Sequence, residues 1–326
     1  MNSKRFLVSN GAIMEVMLED CTESSASVSG AASPYEYAVS NSRETIAVCV
    51  LGPSVDVRRL HQTVDGIVDQ DYGGTVIGIV PNGEWTRDSA NQSRQIIFAR
   101  ASSELNCNSA FAIALDLQPE VEFIAVLNSG ERSPRKWLHS LKEAQEEFDA
   151  DVVRGPVKAM FDEPPPDWIL ASGHFDRCGI PFGPISDLRG IDNSLIRSKL
   201  IRTCWPEVIP LHSPEADGID FAYQLKMLES VAVWANEAIV FNSIPKVRMT
   251  DEWLLEREFL RAYAVARVES RYRATRWAEA RSRARALSQL IAGIAIYGTG
   301  GRSFLRARLM IARARGTMAG SIPDRY

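Results

Sequence analysis

Apolar runs of strand length, separated by turn residues and by one helix-spaced segment, organise the first half of this chain. Ile46-Ala47-Val48-Cys49-Val50-Leu51 is a continuous apolar run ending at Gly52-Pro53, and it predicts a strand covered on both faces. From Val55 to Val68 the apolar residues Val57, Leu60, Val64, Ile67 and Val68 recur at helical spacing, and the polar stretch Asp69 to Gly74 closes that helix. Thr75-Val76-Ile77-Gly78-Ile79-Val80 predicts a second strand, followed by a Pro81-Asn82-Gly83 turn. Strand, helix and strand in this order make a βαβ unit, hence a parallel sheet that presents ligands at the carboxyl ends of its strands.

The pattern continues from Val121 to Trp168. Phe123-Ile124-Ala125-Val126-Leu127 predicts another buried strand, and Asn128-Ser129-Gly130-Glu131 a turn. Ser133-Pro134-Arg135-Lys136-Trp137-Leu138 predicts a helix start with proline in its first turn. A short strand over Asp151-Val152-Val153-Arg154-Gly155-Pro156-Val157 leads to Phe161 and Pro164-Pro165-Pro166-Asp167-Trp168. Before the first strand, Thr22 to Ser42 is rich in Ser and Ala, and residues 1–44 are expected to form a flexible segment. After Thr250 the spacing of Trp253, Leu254, Phe259, Leu260 and Tyr263 is helical, which sets 45–250 apart as the α/β domain and 251–326 as a basic amphipathic helical region.

Composition and charge narrow the class. A chain of 326 residues with 45% hydrophobic and 24% charged residues can bury a large core. Its five cysteines, Cys21, Cys49, Cys107, Cys178 and Cys204, are scattered without a Cys-x-x-Cys pair, which suits a reducing cytoplasm better than a disulfide framework or zinc site. The net charge of −4 hides an asymmetry: between Arg267 and Arg315 twelve arginines face only Glu269 and Glu279. An anionic partner for that region follows. The run Leu290 to Tyr297 falls short of the roughly 20 apolar residues that span a bilayer. Two readings therefore stand for the basic helices: a hairpin packed on the domain, or one lying on a membrane surface such as the inner face of the plasma membrane. No zinc, homeodomain or stacking-platform pattern accompanies the arginines, so no nucleic-acid partner is expected. Gly298-Thr299-Gly300-Gly301 lacks a Walker lysine and predicts a turn between helices.

The order of these segments resembles family 2 glycosyltransferases of the GT-A fold, in particular those that assemble bacterial exopolysaccharides such as succinoglycan. The resemblance covers roughly residues 45 to 265. Val48-Cys49-Val50 fits the family's opening strand, and Gln70-Asp71-Tyr72 matches its "Gln-Asp-Tyr". Asn106-Cys107-Asn108-Ser109-Ala110 corresponds to a helix start and keeps Asn108. Asp192-Asn193-Ser194-Leu195-Ile196-Arg197 corresponds to a later strand, and Ala232 to Phe241 to the next. The implied fold is α/β, Rossmann-like, with a mostly parallel sheet flanked by helices and a C-terminal helical appendage.

The chemistry that the resemblance implies is carried by fewer residues. Pro81 and Asn82 stand at the nucleotide-binding strand end, where the family has an aspartate. Asn128, Ser129 and Gly130 stand where the family's aspartates hold a divalent metal, and leave Glu131 as the one carboxylate for Mg or Mn. Glu215 to Phe221 corresponds to the motif of the catalytic base: Gly218 replaces the acid, Asp217 adjoins it, and Asp220 matches the later acid. His212 is a further proton acceptor to consider. Asn108, Trp168 and Asn193 complete the implied substrate residues, with Trp168 and His174-Phe175 where the family shapes its acceptor pocket; a core-capping role for Trp168 is equally compatible. Two functions remain open: a binding or scaffold subunit beside a partner glycosyltransferase, or an active inverting transferase moving a sugar from a nucleotide-sugar donor to a lipid-linked glycan acceptor.

Overall fold

The computed structural model describes residues 3–9, 12–19, 45–52, 56–81, 96–101, 105–204, 214–272, 276–299 and 304–321. These fall into two compact units: residues 1–159, 175–208 and 225–243, and residues 160–174, 209–224 and 244–326. Asn82 and His212 lie outside the described residues, as does the whole Ser/Ala-rich stretch from Thr22 to Ser42.

The first unit is built on one large sheet. Its strands are β1 (Ser3–Ser9), β2 (Ala12–Glu19), β3 (Ile46–Leu51), β4 (Val76–Pro81), β5 (Ile96–Ala101) and β6 (Phe123–Asn128), with helices α1 (Val57–Val68) and α2 (Cys107–Leu117) between them. A two-residue strand β7 (Glu131–Arg132), helix α3 (Trp137–Phe148), β8 (Val152–Arg154) and β9 (Val157–Phe161) follow. After α4 (Asp167–Ser172), which belongs to the second unit, come β10 (Gly183–Pro184), β11 (Ser194–Arg197) and α5 (Ser198–Cys204). Helix α6 (Pro214–Met227), which belongs to the second unit up to Gln224, is followed by β12 (Ala232–Trp234) and β13 (Val240–Ile244).

The sheet runs β1-β2-β5-β4-β3-β6-β11-β8-β12-β10. From β5 to β6 all neighbours are parallel, β8 and β12 are parallel, and β11 is inserted antiparallel between β6 and β8. The expected mostly parallel sheet flanked by helices is therefore the observed one. Alternate residues of the central strands serve opposite faces. Val48, Val50, Phe123, Ala125 and Leu127 join Leu60, Val64 and Ile67 of α1 and Leu138 and Leu141 of α3 in one core. On the other side, Cys49 donates its thiol to the Ala110 carbonyl of α2 at 3.6 Å, and burial pushes that thiol well above its ordinary range. A strand covered on both faces has to be apolar throughout, which is why the run at 46–51 carries no alternation.

Several expected boundaries shift for local reasons. The strand expected over 151–157 is two, because Gly155-Pro156 breaks the ladder; a Cβ on Gly155 would run into the Ala238 carbonyl. The run 232–241 likewise divides into β12 of the large sheet and β13, which lies between β7 and β9 in a second, three-stranded sheet. Pro81, read as a turn residue, is the last residue of β4, paired with Ala101. Strand β5 and the hairpin β1–β2, within the stretch expected to be a flexible segment, were not visible in the pattern.

The second unit carries the appendage: α7 (Asp251–Tyr272), α8 (Arg276–Thr299) and α9 (Phe304–Gly320). Glycines set its closest packing. Cβ atoms on Gly316 and Gly320, one turn apart on α9, would run into the carbonyl oxygens of Phe259 and Tyr263 on α7. One on Gly293 of α8 would lie 2.9 Å from Ile311 of α9. Small residues permit this backbone-to-backbone approach.

Candidate functional site

The parallel strands β3, β4, β6, β8 and β12 end on one edge of the sheet, and antiparallel β11 begins there. The turn after β6 is folded around Glu131. Its carboxylate is fully buried; Oε2 accepts the Asn128 backbone N–H at 2.8 Å and Oε1 accepts the Asn128 side-chain amide at 3.0 Å. Gly130 supplies the reversal at φ +95, while its N–H donates to the Thr63 hydroxyl of α1 at 3.0 Å. The short Asn-Ser-Gly-Glu sequence thus closes on itself at the strand end.

Two arginines converge on this turn from elsewhere in the chain. Arg177 is anchored by reciprocal backbone bonds with Val157, and its Nη2 lies 3.4 Å from Glu131 Oε1. Its Nη1 lies 2.5 Å from Asp192 Oδ2, and Arg154, the last residue of β8, meets Asp192 Oδ1 at 2.8 Å. Glu131, Arg177, Asp192 and Arg154 therefore form one chain of alternating charge at the carboxyl edge. Burial raises the pKa of Glu131 above the ordinary carboxylate value; Arg177 pulls it down, Asp192 pushes it up, and the Asn128 bonds pull it down. Burial wins because the group is wholly removed from water.

A resident divalent cation fits this arrangement poorly. Hard cations take several oxygen ligands. Here both oxygens of Glu131 are engaged by Asn128 and one also by Arg177, so a dication would sit beside a guanidinium. Among the described residues no group of three His, Cys, Asp or Glu side chains stands where it could hold a metal.

The remaining expected site residues are placed as follows. Asn128 is bound up with Glu131, as above. Asn193 is fully buried at φ +45, and all of its side-chain polar atoms are used inside the scaffold: Oδ1 accepts the Trp137 indole N–H at 2.7 Å, and Nδ2 donates to the Pro156 and Ala238 carbonyls, each at 2.8 Å. Its neighbour Asp192, not Asn193, faces the arginines. Asn108 is the second residue of α2, whose N-cap Asn106 forms a capping box with Ser109. Pro81 is buried at the end of β4. Gln70 of the matched Gln-Asp-Tyr donates to the carbonyls of Gly66 and Pro134 at 2.7 and 2.8 Å and accepts the Leu138 N–H at 2.9 Å. It fastens α1 to the start of α3, so this match belongs to the scaffold.

Within the second unit, Asp217 and Asp220 are buried on α6. Asp220 accepts from the Tyr272 hydroxyl and lies 3.9 Å from Arg271, both of α7, and Tyr272 stacks on Tyr223 with ring centroids 5.0 Å apart. Burial and the Asp220 charge push the Tyr272 hydroxyl up to about 12. Asp220 thereby ties α6 to the appendage. Trp168 is half-buried on α4, and the His174 imidazole lies 4.0 Å from Glu258, which also receives two bonds from Arg313.

Sequence reasoning missed Arg177 and Arg154. Arg154 stood inside a segment read simply as a strand. Arg177 reaches the site through a bridge to Val157 twenty positions earlier, and no local pattern announces such a pairing.

No family model matches the chain, and no curated protein matches it. Solved structures similar to it include the 1–349 fragment of S. aureus TarS in complex with UDP-GlcNAc, at 11% identity over 85% of this chain and 90% of that one, with a TM-score of 0.44. The same fragment in complex with UDP is 12% identical over 84% and 89%, with a TM-score of 0.41. Values this low leave the functional argument to the chain's own residues and geometry.

Proposed function

We propose that this chain is a family 2 glycosyltransferase-like protein of bacterial exopolysaccharide or cell-surface polysaccharide synthesis, with a GT-A sheet, that binds a nucleotide sugar but has lost metal-dependent transfer. One observation carries the reading: at the strand end where the resemblance calls for metal-holding aspartates, Glu131 is enclosed by Asn128 and Arg177. The sheet supports the same reading, since its parallel strands end on one edge where α/β folds bind ligands.

What these residues do follows from their charges. Arg154 and Arg177 bring two guanidinium groups to the edge, and a diphosphate is bound well by such forked donors. Asp192 orients both arginines. A cation would supply neutralisation of the leaving diphosphate in the family mechanism; Arg154 and Arg177 would supply part of it by exchanging a carboxylate oxygen for a phosphate oxygen, since Glu131 and Asp192 balance their charge in the free protein. The protein then holds donor or glycan as a binding or scaffold partner of an active transferase. The guanidinium pair also favours a second reading, an active inverting transferase without metal.

Calorimetric titration with a panel of nucleotide sugars, with and without manganese, tests the proposal. Binding of at least one donor, unchanged by manganese and without release of free sugar or transfer, is expected. Manganese-dependent binding would overturn it, and metal-free turnover would favour the second reading.

A further inference from the structure

Helix α8 exposes a row of large apolar side chains on one face. Leu287, Ile291 and Ile294 recur at i, i+4 and i+7 and are 51%, 60% and 57% exposed. Tyr297 of α8 and Phe304 of α9 extend the patch, with ring centroids 4.8 Å apart and exposures of 48% and 40%. Scattered single apolar residues on a surface need no explanation, but a contiguous stripe along a helix does. α8 packs through Ala286 and Gly293, about a third of a turn round the helix from Leu287, Ile291 and Ile294, so the stripe is not the helix's packing face.

Charge says what covers it. Arg281 and Arg285 of α8 and Arg306 and Arg315 of α9 are exposed, and α9 contains no acidic residue. The protein as a whole carries −4, so the basic excess belongs to this region alone. An apolar stripe on one face with arginines on the far face, on a helix too polar to cross a bilayer, has the composition of a helix lying in a lipid interface. A second copy of this chain would bring the same arginines against themselves, and like charges across an interface are unfavourable. An anionic bilayer satisfies both halves of the surface: lipid tails take the stripe and headgroups take the guanidinium groups.

We infer that the α8 face formed by Leu287, Ile291 and Ile294 docks on an anionic membrane surface, with the exposed arginines of α8 and α9 on the headgroups. The helix lies along the surface and does not span it. This inference is independent of the nucleotide-sugar reading and rests on a different part of the chain.

Flotation of the full chain with vesicles tests it. Vesicles of about three parts phosphatidylcholine to one part phosphatidylglycerol should carry the protein, and vesicles of phosphatidylcholine alone should carry at least about tenfold less. The double variant Ile291→Ser, Ile294→Ser should reduce flotation on the anionic vesicles by about tenfold or more while its circular dichroism and melting temperature match wild type. Replacing Arg281 and Arg285 by Gln should weaken binding mainly at low ionic strength, where the Debye length is long. Equal flotation of wild type and the serine variant would overturn the inference. So would a dimer in sedimentation velocity that the serine variant disperses, since a second copy would then occupy the face.

Discussion

Replacing Arg177 by Ala removes the positive charge between two acidic side chains, and the structure gives both the size and the pH dependence of the effect. At 3.4 Å and an effective dielectric constant near 20, attraction between unit charges is about 5 kcal/mol. Loss of one member of a buried pair costs about 3–5 kcal/mol, because the other is left buried without compensation. Arg177 is 26% exposed, and water already screens part of this, so the expected loss at neutral pH is about 2–3 kcal/mol. Glu131 has a folded pKa raised above its ordinary value of 4.5. Its contribution is therefore full below the unfolded pKa and is lost as pH rises through the folded one. Without Arg177 the folded pKa rises further, and the variant should regain stability on acidification by up to about 1.4 kcal/mol per pH unit. Urea unfolding followed by tryptophan fluorescence at about pH 7.5 and about pH 5.5 measures this. The double variant Arg177→Ala, Glu131→Gln should lose most of the pH dependence. Equal midpoints for wild type and Arg177→Ala at the higher pH, or a deficit that persists unchanged at the lower, would refute the role given to this ion chain.

Three other predictions follow from specific contacts. Asn193→Ala takes the acceptor from the Trp137 indole N–H and the amide donor from the Ala238 carbonyl in the core, while Pro156 keeps the Val240 N–H, and it puts alanine at positive φ, so about 2–4 kcal/mol should be lost in calorimetric melting. Gly320→Ala places a methyl group against the Tyr263 carbonyl and should cost about 1–3 kcal/mol, with faster hydrogen exchange confined to α7 and α9; uniform exchange would contradict the close packing described. Tyr272 is held neutral, with its pKa raised from 10.0 to about 12, so its stabilisation is full below pH 10 and disappears as pH rises through the folded value. One of the eight tyrosines should accordingly ionise last in an alkaline absorbance titration, and Tyr272→Phe should remove that step.

The scaffold was legible where one period dominated. The uninterrupted run at 46–51 and the helical spacing at 57–68 are found almost to the residue, because strands buried on both faces and amphipathic helices each impose a pattern that local sequence must obey. The breaks within 151–157 and 232–241 were hidden because apolar content continues while the backbone changes sheet. Only the approach of Ala238 to Gly155, a long-range fact, shows why the chain must turn there. At the site, the sequence identified Glu131 and Asn128 but not the arginines of the ion chain. Residues from four separate segments make the ion chain, and a charge that is neutralised in three dimensions looks in sequence like any surface arginine. Asn193 illustrates the reverse: a position valued for chemistry by resemblance is spent entirely on holding Trp137, Pro156 and Ala238 together.

The central claim is that a nucleotide sugar binds at the carboxyl edge without a divalent metal. The most direct measurement is the dissociation constant of a nucleotide-sugar donor for the full chain in excess chelator and again in saturating manganese. The account predicts equal values in the two conditions, and a weakening of about tenfold or more in both when Arg177 is replaced by Gln, on the scale of one charge-assisted contact. Affinity that appears only with manganese, and survives Arg177→Gln, would contradict it.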